Sequence, residues 1–132
     1  MNKRKTLIIA YACEPNQTSE PGVGWFFTQE ISKSINTTVL TRRNNKSIIE
    51  KEETNNINFI YYDLPSFFTK IKKKLPLGTQ LYYFLWQWGA YFYLRNFIKK
   101  SNFSFDIIHH LNFSISWLTP PSFLLNSPFV WG

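Results

Sequence analysis

The chain predicts an α/β fold, a parallel β-sheet flanked by helices, and three observations carry that expectation. Five short apolar runs alternate with segments of helical spacing, the pattern of strands joined by crossover helices and covered on both faces. A glycine-bearing stretch, with Gly22 and Gly24, separates the first apolar run from the first helical segment, at the carboxyl end of a strand where such sheets hold ligands. No internal repeat or low-complexity tract interrupts the alternation. At 132 residues there is length for one domain with a core and too little for two, so residues 1–132 are read as a single domain.

The first strand is expected over residues 6–12. After it comes Cys13-Glu-Pro-Asn-Gln-Thr-Ser-Glu-Pro-Gly-Val-Gly-Trp25, expected to be a loop, with Gly24 opening a helix over 24–34. Glycines let a backbone approach a ligand closely and turn free N–H groups upon it. Loops of α/β units usually need roughly 2–6 residues, so the length of this one favours a binding role. It is not a dinucleotide fingerprint, because Phe27 stands where the third glycine of G-x-G-x-x-G belongs, and it lacks the Lys-Ser/Thr of a P-loop. Glu14 and Glu20 can accept hydrogen bonds from sugar hydroxyls, although capping or plain exposure is the simpler role for each. The candidate ligand-binding set here is Glu14, Glu20, Gly22, Val23 and Gly24.

Further strands are expected over 37–41, 57–62, 106–111 and 128–131, and helices over 46–53, 66–73, 79–100 and 121–125. In the strand over 106–111, His109 and His110 lie toward the carboxyl end and are the candidate catalytic residues. Successive strand residues face opposite sides, so the two imidazoles cannot share one environment. A metal role is disfavoured, because no Cys, His or carboxylate has ligand spacing with them. Asn112, just beyond, joins the candidate binding set.

The helix over 79–100 is apolar nearly all round. Leu81, Phe84, Leu85, Trp88, Phe92 and Arg95 form one stripe at helical spacing, expected to face the sheet. Tyr82, Trp86 and Tyr93 widen the apolar surface beyond a core-facing seam. With Lys70, Lys72, Lys73 and Lys74 just upstream they suit a headgroup interface, and they are expected to meet a membrane or a lipid-linked acceptor. The formal charge of +7 agrees with an anionic partner, and a solvated basic face explains it equally well. The longest apolar stretch, 81–94, falls short of the ~20 residues a membrane span needs. Cys13 is the single cysteine. It permits no internal disulfide and points to a reducing compartment, so a cytoplasmic protein is expected, peripheral on the inner membrane face at most. With no base beside it in sequence, Cys13 reads as a packing residue.

Several pieces together resemble the N-terminal half of a GT-B-fold, retaining glycosyltransferase of family 4. They are Ala10-Tyr-Ala-Cys-Glu-Pro15, Ser19-Glu-Pro-Gly-Val-Gly-Trp25, Val39-Leu-Thr-Arg-Arg-Asn44, Tyr61-Tyr-Asp-Leu-Pro65, Leu81-Tyr-Tyr-Phe-Leu-Trp-Gln87, Asp106-Ile-Ile-His-His110 and Pro128-Phe-Val-Trp-Gly132. The resemblance implies two Rossmann-like domains facing a cleft, with the acceptor mainly on this domain and the nucleotide-sugar donor mainly on a second, C-terminal domain. It implies a hexosyltransferase that needs no metal or other cofactor and serves surface polysaccharide or glycolipid assembly, with a saccharide or lipid-linked acceptor. It places Gly22 to Gly24 near the donor diphosphate and a histidine after the fourth strand against the transferred sugar. The family pattern there is Asp-x-x-His-x-His. Here His109 matches its first histidine, His110 falls on the variable position and Leu111 replaces the second, which leaves open which imidazole meets the sugar.

The run 128–131 reads as a strand reaching the ligand side of the sheet, directly before Gly132. The expectation is therefore a fragment of a longer protein, inactive in isolation. Two other classes compete: a non-catalytic, membrane-associated α/β subunit, and a basic nucleic-acid-binding module. The last ranks lowest, with no nucleic-acid partner expected, because the aromatics crowd a helix instead of a sheet surface.

Overall fold

A computed structural model of the chain describes residues 3–54, 56–111 and 119–132. In order these form β1 (Lys5–Ile9), α1 (Ser19–Ser32), β2 (Asn36–Thr41), α2 (Lys46–Ile49), β3 (Ile57–Tyr61), α3 (Ser66–Lys74), α4 (Gly78–Ser101), β4 (Ile107–His110) and β5 (Phe129–Trp131). Short 3₁₀ turns occupy Arg43–Asn45 and Pro121–Leu125. The strands make one sheet in the order β3-β2-β1-β4-β5, and every pairing is parallel. The expected α/β class, a Rossmann-like parallel sheet flanked by helices, is what the chain adopts.

Strand periodicity divides the core into two layers. Leu7 and Ile9 of β1, Leu40 of β2 and Ile108 of β4 face α4, where they meet Tyr82, Tyr83, Trp86, Ala90 and Leu94. Ile8 and Val39 face the other way, toward Trp25, Phe27 and Ile31 of α1. The central strand is thus buried on both sides, the condition a parallel sheet needs. Each large side chain so buried contributes roughly 1.5–3 kcal/mol.

Three expectations are corrected. Helix α1 begins at Ser19, so Gly22, Val23 and Gly24 lie within its first two turns and not in the loop. The turning assigned to glycine is done by Asn16 and Ser19, at φ 59° and 60°, in the left-handed region that short polar side chains tolerate. Pro21 fits the first turn, where no N–H is needed, and Glu20 there favours the positive end of the helix dipole.

The second correction concerns α4. Its buried face is Tyr82, Tyr83, Trp86, Gln87, Ala90 and Leu94, while Leu81, Trp88 and Phe92 are exposed. Tyr82 and Trp86, at 1% and 0% exposure, are core residues and form no membrane surface. Their polar tips explain the choice. Trp86 donates from Nε1 to the Tyr62 carbonyl at 3.0 Å, and Tyr82 donates its hydroxyl to Asp63 Oδ1 at 3.1 Å, so the sheet-facing side satisfies both rings. The expected helix over 46–53 is also shorter, with α2 ending at Ile49. Among the described residues no helix is long and apolar enough to cross a membrane.

Candidate functional site

The chain leaves β1 toward β2 and β3 on one side, while β4 and β5 lie on the other. The carboxyl ends of β1 and β4 therefore flank the point where the winding reverses, the crevice in which open α/β sheets bind ligands. Three segments converge there: residues 10–18 after β1, the start of α1, and the end of β4.

The loop after β1 is held back against the helix it feeds. The Glu14 N–H donates to the Pro21 carbonyl at 3.0 Å, and the Asn16 side-chain amide donates to Glu52 Oε1 at 3.4 Å. Thr18, the residue preceding α1, is extended and makes no side-chain cap bond, so its hydroxyl does not cover the first-turn amides. Glu14 is half-buried, whereas Glu20 and Val23 are exposed. Gly24 is buried, and its carbonyl accepts the Thr28 hydroxyl at 2.7 Å. Cys13 is buried too, and burial pushes its thiol up to about 12. It stays protonated near neutral pH and is no nucleophile.

The histidines take opposite faces, as alternation along a strand requires. His110 is fully buried on the α4 side, its Nε2 3.1 Å from the Tyr83 hydroxyl. Burial raises the pKa of Tyr83, partly countered by a hydrogen bond with the Gln87 side chain. His109 is half-buried on the α1 side, its ring edge-on to Phe27 with centroids 4.9 Å apart. Its Nε2 lies 3.2 Å from the Gly132 carbonyl. A carbonyl only accepts, so Nε2 carries the hydrogen and Nδ1 is the acceptor of the neutral ring. Burial lowers the His109 pKa, partly countered by that hydrogen bond, and the neutral form prevails.

Glu14, Glu20, Gly22, Val23, Gly24, His109 and His110 thus belong to one edge of the sheet, the two imidazoles on different faces of it. Asn112 lies outside the described residues. Lys70, Lys72, Lys73, Lys74 and Tyr93 belong to α3 and α4. Of these, Lys72 turns inward, its Nζ 5.3 Å from the centre of the Tyr82 ring. Burial, and then the charge of Arg42, lower its pKa.

One cluster at this edge is not in the sequence-derived set. Asp63 accepts from Arg42 Nε, from the Arg43 main-chain N–H and from the Tyr82 hydroxyl, each at 3.1 Å. The Arg42 guanidinium also lies 4.9 Å from the centre of the Tyr11 ring, and Tyr11 packs edge-on against Tyr83 and Trp86. Burial works against the Arg42 charge, and Tyr11 and Asp63 more than offset it. A signal was available: Arg42 and Asp63 follow the ends of adjacent parallel strands, paired through Thr41 and Tyr61, so a cation and a carboxylate there come within reach. The cluster clips β2, β3 and α4 together beside the crevice. A hollow of about 440 Å³, lined by Lys5, Asn36, Thr37 and Phe103 among others, lies at the amino ends of the strands, the edge opposite the histidines. Among the described residues no three His, Cys, Asp or Glu side chains group closely enough to hold a metal ion.

Comparison of the chain with protein-family models, with curated proteins and with solved structures finds no match in any of the three.

Proposed function

We propose that this chain is the acceptor-side part of a retaining glycosyltransferase, moving a sugar from a nucleotide-sugar donor to the hydroxyl of a saccharide or lipid-linked acceptor. The supporting observation is the arrangement at the carboxyl ends of β1 and β4, where His109 packs on Phe27 of α1 and the Tyr83–His110 pair lies on the opposite face. Sugar transfer builds negative charge on a departing diphosphate. Amides and the dipole at a helix start favour that charge, and α1 opens on the crevice with its first turn uncapped by Thr18. His109 is the imidazole a sugar would reach, because it is half-buried at the strand exit while His110 is sealed beneath it. The reading needs a second Rossmann-like unit to form the opposite wall and bind the nucleotide.

The test is sugar transfer by the product of the complete reading frame, screened against a panel of nucleotide sugars and acceptors. Transfer from one donor is expected. His109→Ala should lower kcat/KM by about 10- to 100-fold, the effect of losing one substrate hydrogen bond, with the circular dichroism spectrum unchanged. Transfer that the substitution leaves untouched, or no transfer from any donor, overturns the proposal.

A further inference from the structure

Helices α3 and α4 carry an unusual distribution of charge and apolar surface. Residues 66–101 hold seven Lys and Arg residues and no Asp or Glu. The other eight cations equal the eight acidic residues of the whole chain, so the entire net charge of +7 resides on this hairpin. Lys70, Lys73 and Lys74 are exposed on α3, and Arg95, Lys99 and Lys100 are exposed near the end of α4. Between these two groups runs an apolar stripe on the side of α4 turned away from the sheet. Leu77 is 70% exposed, Leu81 39%, Trp88 38% and Phe92 51%, at spacings of four, seven and four that keep them on one face of a helix. Leu75 extends the stripe onto the connecting turn, where Leu75, Pro76, Leu77, Gln80 and Leu81 line an open hollow of about 500 Å³.

We propose that this face docks the protein on the surface of an anionic lipid bilayer, with α4 lying in the plane of the interface. Leucines and aromatic rings at the stripe enter the boundary between headgroups and acyl chains, while the flanking cations meet lipid phosphates and carboxylates. The charge decides against the other occupants. Two copies packed through this face would oppose one +7 hairpin to another. A nucleic acid would use the cations but leave Leu75, Leu77 and Leu81 without the stacking that aromatic rings give bases. No helix among the described residues is long and apolar enough to cross a membrane, so α4 lies on the bilayer. The proposal does not depend on the sugar-transfer reading.

Co-sedimentation with vesicles tests it. The chain should bind vesicles of phosphatidylcholine mixed with phosphatidylserine, bind phosphatidylcholine alone far more weakly, and release at high salt. Each cation near the surface is worth about fivefold in partitioning, so a Lys73→Glu, Lys74→Glu double variant should lose at least about tenfold. A Leu77→Ser, Trp88→Ser, Phe92→Ser variant touches only exposed positions and should lose a comparable amount with an unchanged circular dichroism spectrum. Absence of binding to the serine-lipid vesicles overturns the proposal, as does binding that the triple variant retains. Concentration-dependent dimerisation through the stripe, or retention on a single-stranded oligothymidylate that Trp88→Ser abolishes, would assign the face to another occupant and equally overturn it.

Discussion

A β-carbon on residue 22 would run into the main-chain carbonyl of Gln17, in the second turn's approach to the loop that precedes α1. Inside a helix alanine is ordinarily better than glycine by about 1 kcal/mol, so two effects oppose each other at this position. The obstacle is backbone, which cannot rotate away as a side chain would, and overpacking of this kind costs about 1–3 kcal/mol. The clash should win: Gly22→Ala is expected to lower stability by about 0.5–2 kcal/mol after the helical gain, read as a shift of the urea midpoint at constant slope. A stabilised variant would mean that the loop moves aside freely. The sequence marked Gly22 as a place of close approach, and it is one, but the approaching group is the chain itself. A composition of glycines cannot say which backbone comes near.

Helix α4 illustrates what periodicity can and cannot resolve. Its existence and limits were legible within a residue at each end, 79–100 against Gly78–Ser101, because a long run without glycine clusters or proline has few alternatives. Its orientation was not legible, since apolar residues surround the axis and any stripe fits a 3.6-residue period. What orients it is polar: the Trp86 indole, the Tyr82 hydroxyl and the Tyr83 hydroxyl reach the Tyr62 carbonyl, Asp63 and His110. None of those partners is on α4, and no pattern within the helix could reveal them. Two tryptophans two residues apart therefore separate the alternatives. Trp86→Ala removes a fully buried ring and should cost about 3–5 kcal/mol, whereas Trp88→Ala, on the exposed stripe, should stay within about 0.5 kcal/mol. Equal losses in thermal or urea unfolding would contradict this orientation. The boundary of α1 failed for a related reason, because Asn16 and Ser19 adopt left-handed backbone that their residue types permit without requiring.

Across the whole molecule, the sheet order follows from the alternation of short apolar strands with helices, and all five strands fall within a few residues of their expected limits. The edge that carries the candidate site follows by the same logic, since a parallel sheet presents one set of loops at its carboxyl ends. The Arg42–Asp63–Tyr82 clip was legible only in part: the ends of β2 and β3 bring Arg42 and Asp63 together, whereas Tyr82 joins them from a helix that no strand pairing locates. Stability should be graded across this architecture. β1 is central, paired on both sides and packed on both faces by residues such as Leu7, Ile8 and Ile9. β3 and β5 form the sheet margins, and Val130 of β5 remains exposed. Amides exchange through local openings where burial is shallow and only through global unfolding where it is deep. Native-state hydrogen exchange should therefore find the slowest amides in β1, with β2 and β4 next. The β5 amides should exchange through a smaller opening, less sensitive to low urea. Protection in β5 equal to that in β1 would require that margin to be covered by a further strand or a second chain, and the sheet would then be wider than the five strands described.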